Sequence, residues 1–329
     1  MISFKKITQQ RYKLSFQFEL LTAYISEWNG VLQGIKQHHQ SRFSQTGCHS
    51  ELRRNIHRLE KGICFPDKKE SYASGYIDKT IVHFTNALSS PIADQHEIKW
   101  ASSVLAKYFD DVSNTQNESI LKAQRTFNSL NVSNIDEAHT PYTHSKLESL
   151  STSTPEDFMA LCQKRVSCRW FTPETIPNES IEYCIKAASQ AASACNRQPF
   201  RFIHITTPEL KKKVVNLPLG TKGFGNDLPH LIVVVGDWSC FEFERDRHLI
   251  FIDASLATSQ FLLALVAQGY AGVPINWPDI KQNNDTIRET LSLEAYEMPI
   301  MLIGFGKPLP DAQIPFSHKK SVNQLLFEQ

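Results

Sequence analysis

The chain has 329 residues, 41% of them hydrophobic, with 35 lysines and arginines against 34 aspartates and glutamates. This length and apolar content allow a sizeable core and favour two domains over one. The net charge of +1 gives no support to a nucleic-acid partner or to binding at an acidic membrane surface.

The cysteines and the amino terminus indicate a cellular compartment. The seven cysteines form no CxxC pair and no zinc-finger spacing, so free thiols in a reducing cytoplasm are the simplest interpretation. Residues 1–6 are basic, but Gln9 and Glu19 interrupt the apolar run that a signal peptide needs. No stretch reaches the roughly 20 apolar residues of a membrane helix. We therefore expect a cytoplasmic protein without membrane insertion.

The amino-terminal half shows helical patterning throughout. Residues 1 to about 45 carry apolar residues at spacings of three and four, including Leu14, Phe18, Leu21 and Ile25. The same reasoning predicts helices over residues 51–62, 77–88, 97–109 and 120–130. Residues 131–154 are rich in Ser, Thr, Asn and His, which is typical of a linker. We therefore divide the chain into a helical extension at residues 1–150 and a second domain at residues 151–329.

One face of the helix predicted at residues 51–62 is strongly basic. Its simplest interpretation is a solvated helix face. The alternative is an anion or partner site, because His57, Arg58 and Lys61 share one side of the helix.

The second domain alternates helices with a few strands. Helices are predicted over residues 155–164, with Thr154 as N-cap, and over 179–192, 208–215 and 247–268. Strands are predicted over residues 201–205, 231–235 and 299–306. The helix over residues 247–268 is apolar nearly all round, so we expect it to be buried in a core or in a subunit interface. Few strands between helices indicate an α+β or three-layer αβα body.

Two short motifs carry candidate binding residues. Arg165 and Arg169 flank Ser167, and two guanidinium groups with a hydroxyl suit a phosphate dianion. Asn196 and Gln198 offer amide donors and acceptors that can recognise the edge of a heterocycle. The simpler interpretations are surface salt bridges for the two arginines and a helix C-cap for Asn196.

These motifs, RxSxR followed about one helix later by a small-residue run and NxQPF, resemble the nitroreductase family of FMN-dependent flavoproteins. The resemblance runs from about residue 162 to the carboxy terminus. It implies an α+β, nitroreductase-like three-layer αβα body with a mostly antiparallel or mixed sheet, preceded by an all-helical amino-terminal region. It also implies phosphate contacts from Arg165, Ser167 and Arg169, and flavin contacts from Asn196 and from Gln198 two residues on.

The resemblance extends to two further segments. The loop after the long apolar helix would lie against the flavin N5 at Val273, Pro274 and Ile275. Because Pro274 has no N–H, the backbone donor would be Val273 or Ile275. Lys319 and Lys320 match the family's basic phosphate-binding tail, although solvated lysines are the simpler interpretation.

A glycine-rich segment at residues 220–225 looks like a phosphate loop. A dinucleotide-binding loop should follow a strand and open a helix, whereas this segment precedes the strand predicted at residues 231–235. We expect a substrate-side loop or turn.

The resemblance implies an FMN-dependent oxidoreductase that moves a hydride from NADH or NADPH through FMN to an organic acceptor by a ping-pong scheme. The chemistry would belong to the flavin, so we predict no catalytic side chain, and the scattered histidines suggest no metal site. A homodimer with each flavin at the subunit interface is expected. Two alternatives use the same fold: an FMN-dependent dehydrogenase without NAD(P)H, and an inactive interaction partner in polysaccharide biosynthesis. The latter rests on the helical extension, which resembles that of some bacterial nitroreductase-like proteins associated with polysaccharide synthesis.

Overall fold

The computed structural model describes residues 4–40, 43, 47–67, 69–130, 132, 135–148, 150 and 153–328, with side chains from residue 17 onward. Within these ranges the amino-terminal half contains helices α1 (Phe4–His39), α2 (Ser50–Ile63), α3 (Ile77–Ser89), α4 (Gln95–Asp111) and α5 (Glu118–Ser129). The five helices predicted there from periodicity are confirmed. The side chain of Leu14 lies outside the described ones, as does part of the predicted linker. The described part of that linker contains two short 3-10 turns, Glu137–His139 and His144–Leu147.

The remainder of the chain is an α+β body, as predicted. Its helices are α6 (Pro155–Lys164), α7 (Asn178–Ala188), α8 (Pro208–Val215), α9 (Leu249–Ala267) and α10 (Lys281–Leu291). Its strands are β1 (Phe200–Ile205), β2 (His230–Asp237), β3 (Ala271–Asn276) and β4 (Glu297–Gly306). They form one four-stranded sheet in the order β1-β2-β4-β3, and all three pairings are antiparallel.

Helix α9 is the central packing element of the body. It lies on the sheet, where Phe261 stacks against Phe202 with ring centroids 5.7 Å apart. Gly272 allows close approach, since a Cβ there would lie 3.0 Å from Leu262 and 3.1 Å from Leu265. The side of α9 away from the sheet leaves apolar surface uncovered: Ile252 is 52% exposed and Leu256 is 45% exposed.

The same helix bears on the expectation that no segment is long and apolar enough to cross a membrane. By length and composition alone, the helical segment Glu244–Ala267 does qualify, in contrast to that expectation. Half of its most apolar stretch is buried inside the protein, and a buried core helix of a soluble protein passes the same test.

Helices α2 to α5 form a second hydrophobic core, separate from that of the body. Leu52, Ile56 and Leu59 of α2 are fully buried in it, which confirms the predicted apolar stripe. On the basic face, Arg58 lies over the ring of Tyr76 at 3.6 Å. His57 contacts Glu60 within the same helix at 3.0 Å, and Lys61 is exposed. An anion or partner site on this face stays a prediction.

Helix α1 packs mainly on the body, and it also reaches α2 through a contact of His38 with Glu51 at 3.3 Å. Val31 belongs to the core of the body, and His38 Nδ1 donates to the Ser239 carbonyl at 2.9 Å. The contact is close because Gly34 faces Trp238: an added Cβ would lie 2.6 Å from the Trp238 Cβ. The division of the chain into two domains at residue 150 stays a prediction. Helix α1 precedes this boundary in sequence but packs on the body that follows it.

Three local features differ from the sequence-based expectation. Helix α7 ends at Ala188 and not at residue 192, because Cys195, Asn196 and Gln198 adopt φ values near +50° that form a tight loop. The segment expected as a loop against the flavin is largely strand β3, although it contains glycine and proline. Helix α10 is a polar helix with few apolar residues, and no prediction was made for it.

The contact of α1 with Trp238 yields a test. We expect Gly34→Ala to lower the free energy of unfolding by about 1–2 kcal/mol, because the added methyl group overpacks a closed contact, although alanine favours helix more than glycine does. Urea denaturation followed by tryptophan fluorescence measures this. Gln33→Ala, on the exposed side of the same turn, is the matched control and should not destabilise. Equal stability of Gly34→Ala and the wild type would contradict the described docking of α1.

Candidate functional site

The segment from Arg165 to Phe171 runs along the outer edge of strand β3. Arg165 is the C-cap of α6, a helix that begins with a capping box between Thr154 and Asp157, as expected for a threonine N-cap. Ser167 bridges Gly272 in parallel orientation, and Cys168 N–H donates to the Gly272 carbonyl at 3.2 Å. The candidate phosphate-binding residues are therefore held beside β3.

A cavity of about 230 Å³ opens at this edge. We call it the strand-edge cavity, and its wall is formed by Arg169, Leu219, Gly220, Phe224, residues 273–276 and Pro278. The structure therefore brings together Arg169 with Val273, Pro274 and Ile275, as the motifs predict. It adds Gly220 and Phe224 of the glycine-rich segment to the wall. The role of this segment as a substrate-side loop stays a prediction.

The cations beside this cavity are available for a ligand. The Arg169 guanidinium lies 5.7 Å from the centroid of the Phe224 ring. Among the described residues, neither Arg165 nor Arg169 forms a salt bridge, so the interpretation of both as surface ion-pair residues is not supported. A Cβ on Gly220 would meet nothing within 4 Å, which leaves open space at the opposite wall.

The direction of the backbone amides along β3 departs from the expectation for Val273 and Ile275. Gly272 directs its carbonyl outward to Cys168, and peptide groups alternate along a strand. Val273 and Ile275 therefore direct their N–H groups inward to β4, where they lie opposite Gly304 and Leu302. The outward amide beyond Pro274 is that of Asn276, a residue that the motifs did not single out.

Asn196 and Gln198 lie elsewhere, near the beginning of α9. Their loop is tied to that helix by Asp253, whose Oδ2 accepts a hydrogen bond from Ala194 N–H at 2.9 Å. The Asn196 carbonyl accepts from Arg53 Nε at 3.1 Å. The Gln198 side chain donates to the Ser189 carbonyl at 3.0 Å. Neither residue lines the strand-edge cavity within one chain.

The lysines of the tail are also apart from the cavity. The tail leaves the body where Leu309 N–H donates to the Trp170 carbonyl at 3.0 Å, close to the RxSxR segment. Beyond this point Lys319 and Lys320 are exposed, and His318 stacks on Phe316. Their assignment as phosphate ligands stays a prediction.

A second cavity of about 230 Å³ lies where α1 and α2 meet the body. We call it the junction cavity, and its wall includes Phe43, Arg53, Arg197, Phe200, Asp237 and Tyr296. Desolvation by burial raises the pKa of Asp237 to about 6, although a hydrogen bond from Ser239 acts in the opposite direction. The NxQPF motif contributes Gln198 and Phe200 to this wall. No short motif signals the cavity as a whole, since its other segments are far apart in sequence.

Asp237 provides a test of this electrostatic environment. Because its pKa in the native state exceeds the ordinary value, its contribution to stability is present at low pH and is lost as pH rises through about 6. Asp237→Asn should therefore raise the free energy of unfolding at pH 7.5 by about 1–2 kcal/mol, and the difference should shrink toward pH 4.5. Urea denaturation at both pH values measures this. A less stable variant at pH 7.5 would contradict an uncompensated buried carboxylate.

Comparison with known proteins concerns the body of the chain. A model of the nitroreductase family matches residues 162–221 and 212–307. Iodotyrosine deiodinase 1 of Mus musculus is 25% identical over 220 residues, which cover 57% of this chain and 75% of that protein. A protein of Archaeoglobus fulgidus, provisionally named NADH dehydrogenase/NAD(P)H nitroreductase, is 29% identical over 156 residues, covering 46% of this chain and 86% of its own.

Among solved structures, an FMN-dependent nitroreductase from Clostridium difficile R20291 is 20% identical, with a TM-score of 0.45, and the match covers 52% of this chain and 99% of that one. The family match spans the RxSxR segment, the NxQPF loop, α9, β3 and β4. The similarity to the nitroreductase family therefore extends over residues 162–307, and the body has a nitroreductase-like fold.

Proposed function

We propose that the protein is an FMN-dependent oxidoreductase that accepts a hydride from NADH or NADPH and delivers it to an organic acceptor in a separate half-reaction. The observation that carries the proposal is the strand-edge cavity, where Arg169 shares one wall with residues 273–276. Arg165 and Ser167 precede it on the same extended segment, and neither arginine has a salt-bridge partner among the described residues.

These residues fit the parts of FMN. Arg165, Ser167 and Arg169 would hold its phosphate by charge-assisted hydrogen bonds. Val273, Pro274 and Ile275 would form an apolar surface against its ring, and Asn276 would offer an outward N–H donor. FMN, when bound, supplies the acceptance and release of the hydride. Lys319 and Lys320 would add positive charge at the phosphate if the tail folds back from Leu309.

We further propose a homodimer with composite sites. The loop of Asn196 and Gln198 lies against Asp253, near the start of α9, whereas β3 lies against Leu262 and Leu265. Asp253 and Leu262 are nine residues apart, or roughly 14 Å along a helix. Two copies of α9 packed antiparallel would therefore bring the loop of one chain to the strand-edge cavity of the other. Their exposed apolar side chains would be buried in that contact.

The tail supports association of two copies. Residues 313–328 are exposed throughout, and several of them are large and apolar, with Phe316 90% exposed and Phe327 79% exposed. Such apolar surface is unfavourable in water. Packing of this tail over a second subunit would bury its apolar side chains.

The chemical class of the organic electron acceptor stays open. The similarity to iodotyrosine deiodinase makes an iodinated aromatic compound a reasonable candidate beside nitroaromatics and quinones. A dehydrogenase that does not use NAD(P)H, or an inactive interaction partner in polysaccharide biosynthesis, would retain the fold without this reaction, since fold does not determine chemistry.

The first test is the visible spectrum of the purified protein. We expect flavin absorption that bleaches on anaerobic addition of NADH or NADPH, and returns on addition of a nitroaromatic, a quinone or an iodotyrosine. Persistent bands would contradict NAD(P)H as reductant. A colourless protein that takes up no added FMN would contradict the whole proposal.

The second test concerns the phosphate contacts. Arg165→Ala with Arg169→Ala should lower FMN affinity by at least tenfold, because two charge-assisted hydrogen bonds of about 1.5–3 kcal/mol each are removed. Fluorescence titration with FMN measures the affinity. Arg125→Ala, an exposed arginine of α5, is the matched control. Wild-type affinity in the double variant would refute the placement of the phosphate.

The third test concerns the dimer. Leu256→Glu places a charge in the proposed contact of the two α9 helices, and an unpaired buried charge costs several kcal/mol. We expect a monomer by light scattering and reduced flavin occupancy. Val82→Glu, on an exposed apolar position of α3, is the control and should remain a dimer. A dimeric Leu256→Glu variant with full flavin content would rule out this interface.

A further inference from the structure

The junction cavity is separate from the strand-edge cavity, although Gln198, a candidate flavin contact, also lies in its wall. One side of its wall comes from α1, from α2 and from Phe43, Cys48 and His49 between them, none of which belongs to the family match. The other side comes from the loop after α7 and from strands β1, β2 and β4 of the body. Many charged groups therefore line a cavity of about 230 Å³.

Most of these charges are already paired. Arg201 makes a two-pronged contact with Glu297, at 2.8 and 3.0 Å. Arg53 NH1 contacts Glu97 at 3.0 Å. Glu51 of the first turn of α2 contacts Arg54 and His38, at 3.1 and 3.3 Å. These groups need no ligand.

Arg197 is the cation that remains. It is only 6% exposed, and its Nε atom has no hydrogen-bond partner among the described residues. No salt bridge reaches its guanidinium from the described part of the chain. Its one ring contact is with Phe241, at 5.0 Å from the ring centroid. A buried unpaired guanidinium is costly, so a carboxylate in the cavity would stabilise it.

Asp237 is the corresponding carboxylate. Its Oδ1 accepts a hydrogen bond from Ser239 N–H at 2.7 Å, and no described cation lies within salt-bridge distance of it. Asp237 and Arg197 both line the junction cavity. Neither forms a salt bridge with a described residue, and they do not pair with each other.

We propose that the junction cavity binds a small zwitterion of amino-acid size, with its carboxylate on Arg197 and its ammonium group on Asp237. One feature selects this class over a simple anion, and a second favours the position of the ligand carboxylate. The carboxylates of Asp237, Glu51 and Glu297 in the same wall would repel a ligand that carried negative charge alone. The first turn of α2 presents its positive dipole end to the cavity and favours the carboxylate of the ligand.

The apolar part of the wall indicates the side chain of that zwitterion. Phe43, Phe200 and Tyr296 line the same space, and aromatic walls favour an apolar or aromatic group by burial of its surface. We therefore expect preference for an amino acid with such a side chain. The inference stands without the proposed flavin reaction, because no residue of the strand-edge cavity takes part.

The experiment is a binding screen on the full-length protein as purified. Each of the common L-amino acids is tested singly by thermal shift, and those that raise Tm are titrated by calorimetry. The amine and the carboxylic acid that correspond to the best ligand are then titrated in the same way. We expect at least one apolar or aromatic amino acid to bind, and both analogues to bind at least tenfold more weakly, since each lacks one charged contact.

Two variants locate the site. Arg197→Gln and Asp237→Asn should each weaken binding by about tenfold or more, and Asp237→Asn keeps the acceptor for Ser239 N–H. Arg247→Gln, which alters an arginine outside the cavity, is the matched control. Circular dichroism verifies folding, and if Arg197→Gln fails to fold, Arg197→Lys replaces it with the same expected direction.

The outcomes are distinct from those of the flavin tests. If no amino acid binds to the wild-type protein, or if the acid without its amine binds as tightly as the amino acid, the inference is wrong. Binding that both cavity variants leave unchanged would also refute it. Loss of FMN in the Arg165 and Arg169 variant has no bearing on this result.

Discussion

The burial of helix α9 is the constraint on which the body depends. An apolar helix of 19 residues must be covered on most of its surface, and here the sheet and α7 cover it. Its start holds the Asn196 loop through Asp253, and its second half packs against Gly272 of β3. Both sets of candidate flavin contacts are therefore positioned by one rigid element. A change in the seat of α9 would displace both sets together.

The helical extension is attached to this framework at the same point. Arg53 of α2 donates to the Asn196 carbonyl, and Arg54 reaches Glu242 of the body at 3.4 Å. Helix α1 adds its contact with Trp238. The helical extension thus supports the loop that carries two of the candidate flavin contacts. The junction cavity lies between the extension and the body. A ligand there would contact both parts at once.

Local signals in the sequence were sufficient for elements that depend on local forces. Thr154 and Pro155 begin α6 as predicted, and α8 has the predicted bounds, because capping and first-turn proline act within a few residues. Strand pairing and packing between distant segments could not be predicted from local sequence patterns. Strand β3 contains Gly272 and Pro274, which favour a loop by composition, and it becomes a strand only because β4 offers a partner.

The candidate sites show the same difference between local signals and long-range contacts. The RxSxR motif identified Arg169, which lines one cavity with residues 273–276. Motif spacing does not report peptide direction, so the outward amide of Asn276 required the register of the sheet. Similarly, the resemblance assigns Asn196 and Gln198 to the same flavin site as the arginines. Within one chain, however, they lie near the first half of α9, away from the strand-edge cavity. The placement of Arg197 and Asp237 on the wall of one cavity arises only from tertiary contact.

Strand β3 is the edge of the sheet, and Pro274 lies in its middle with the exposed side toward solvent. Proline offers no donor at that edge, and the neighbouring Gly272 is already bonded to Cys168. A further strand would therefore find an interrupted row of partners. The sheet resists lengthening by a foreign chain, which protects a protein with much exposed apolar surface from edge-to-edge aggregation. Self-association is thereby left to helical surfaces and to the tail.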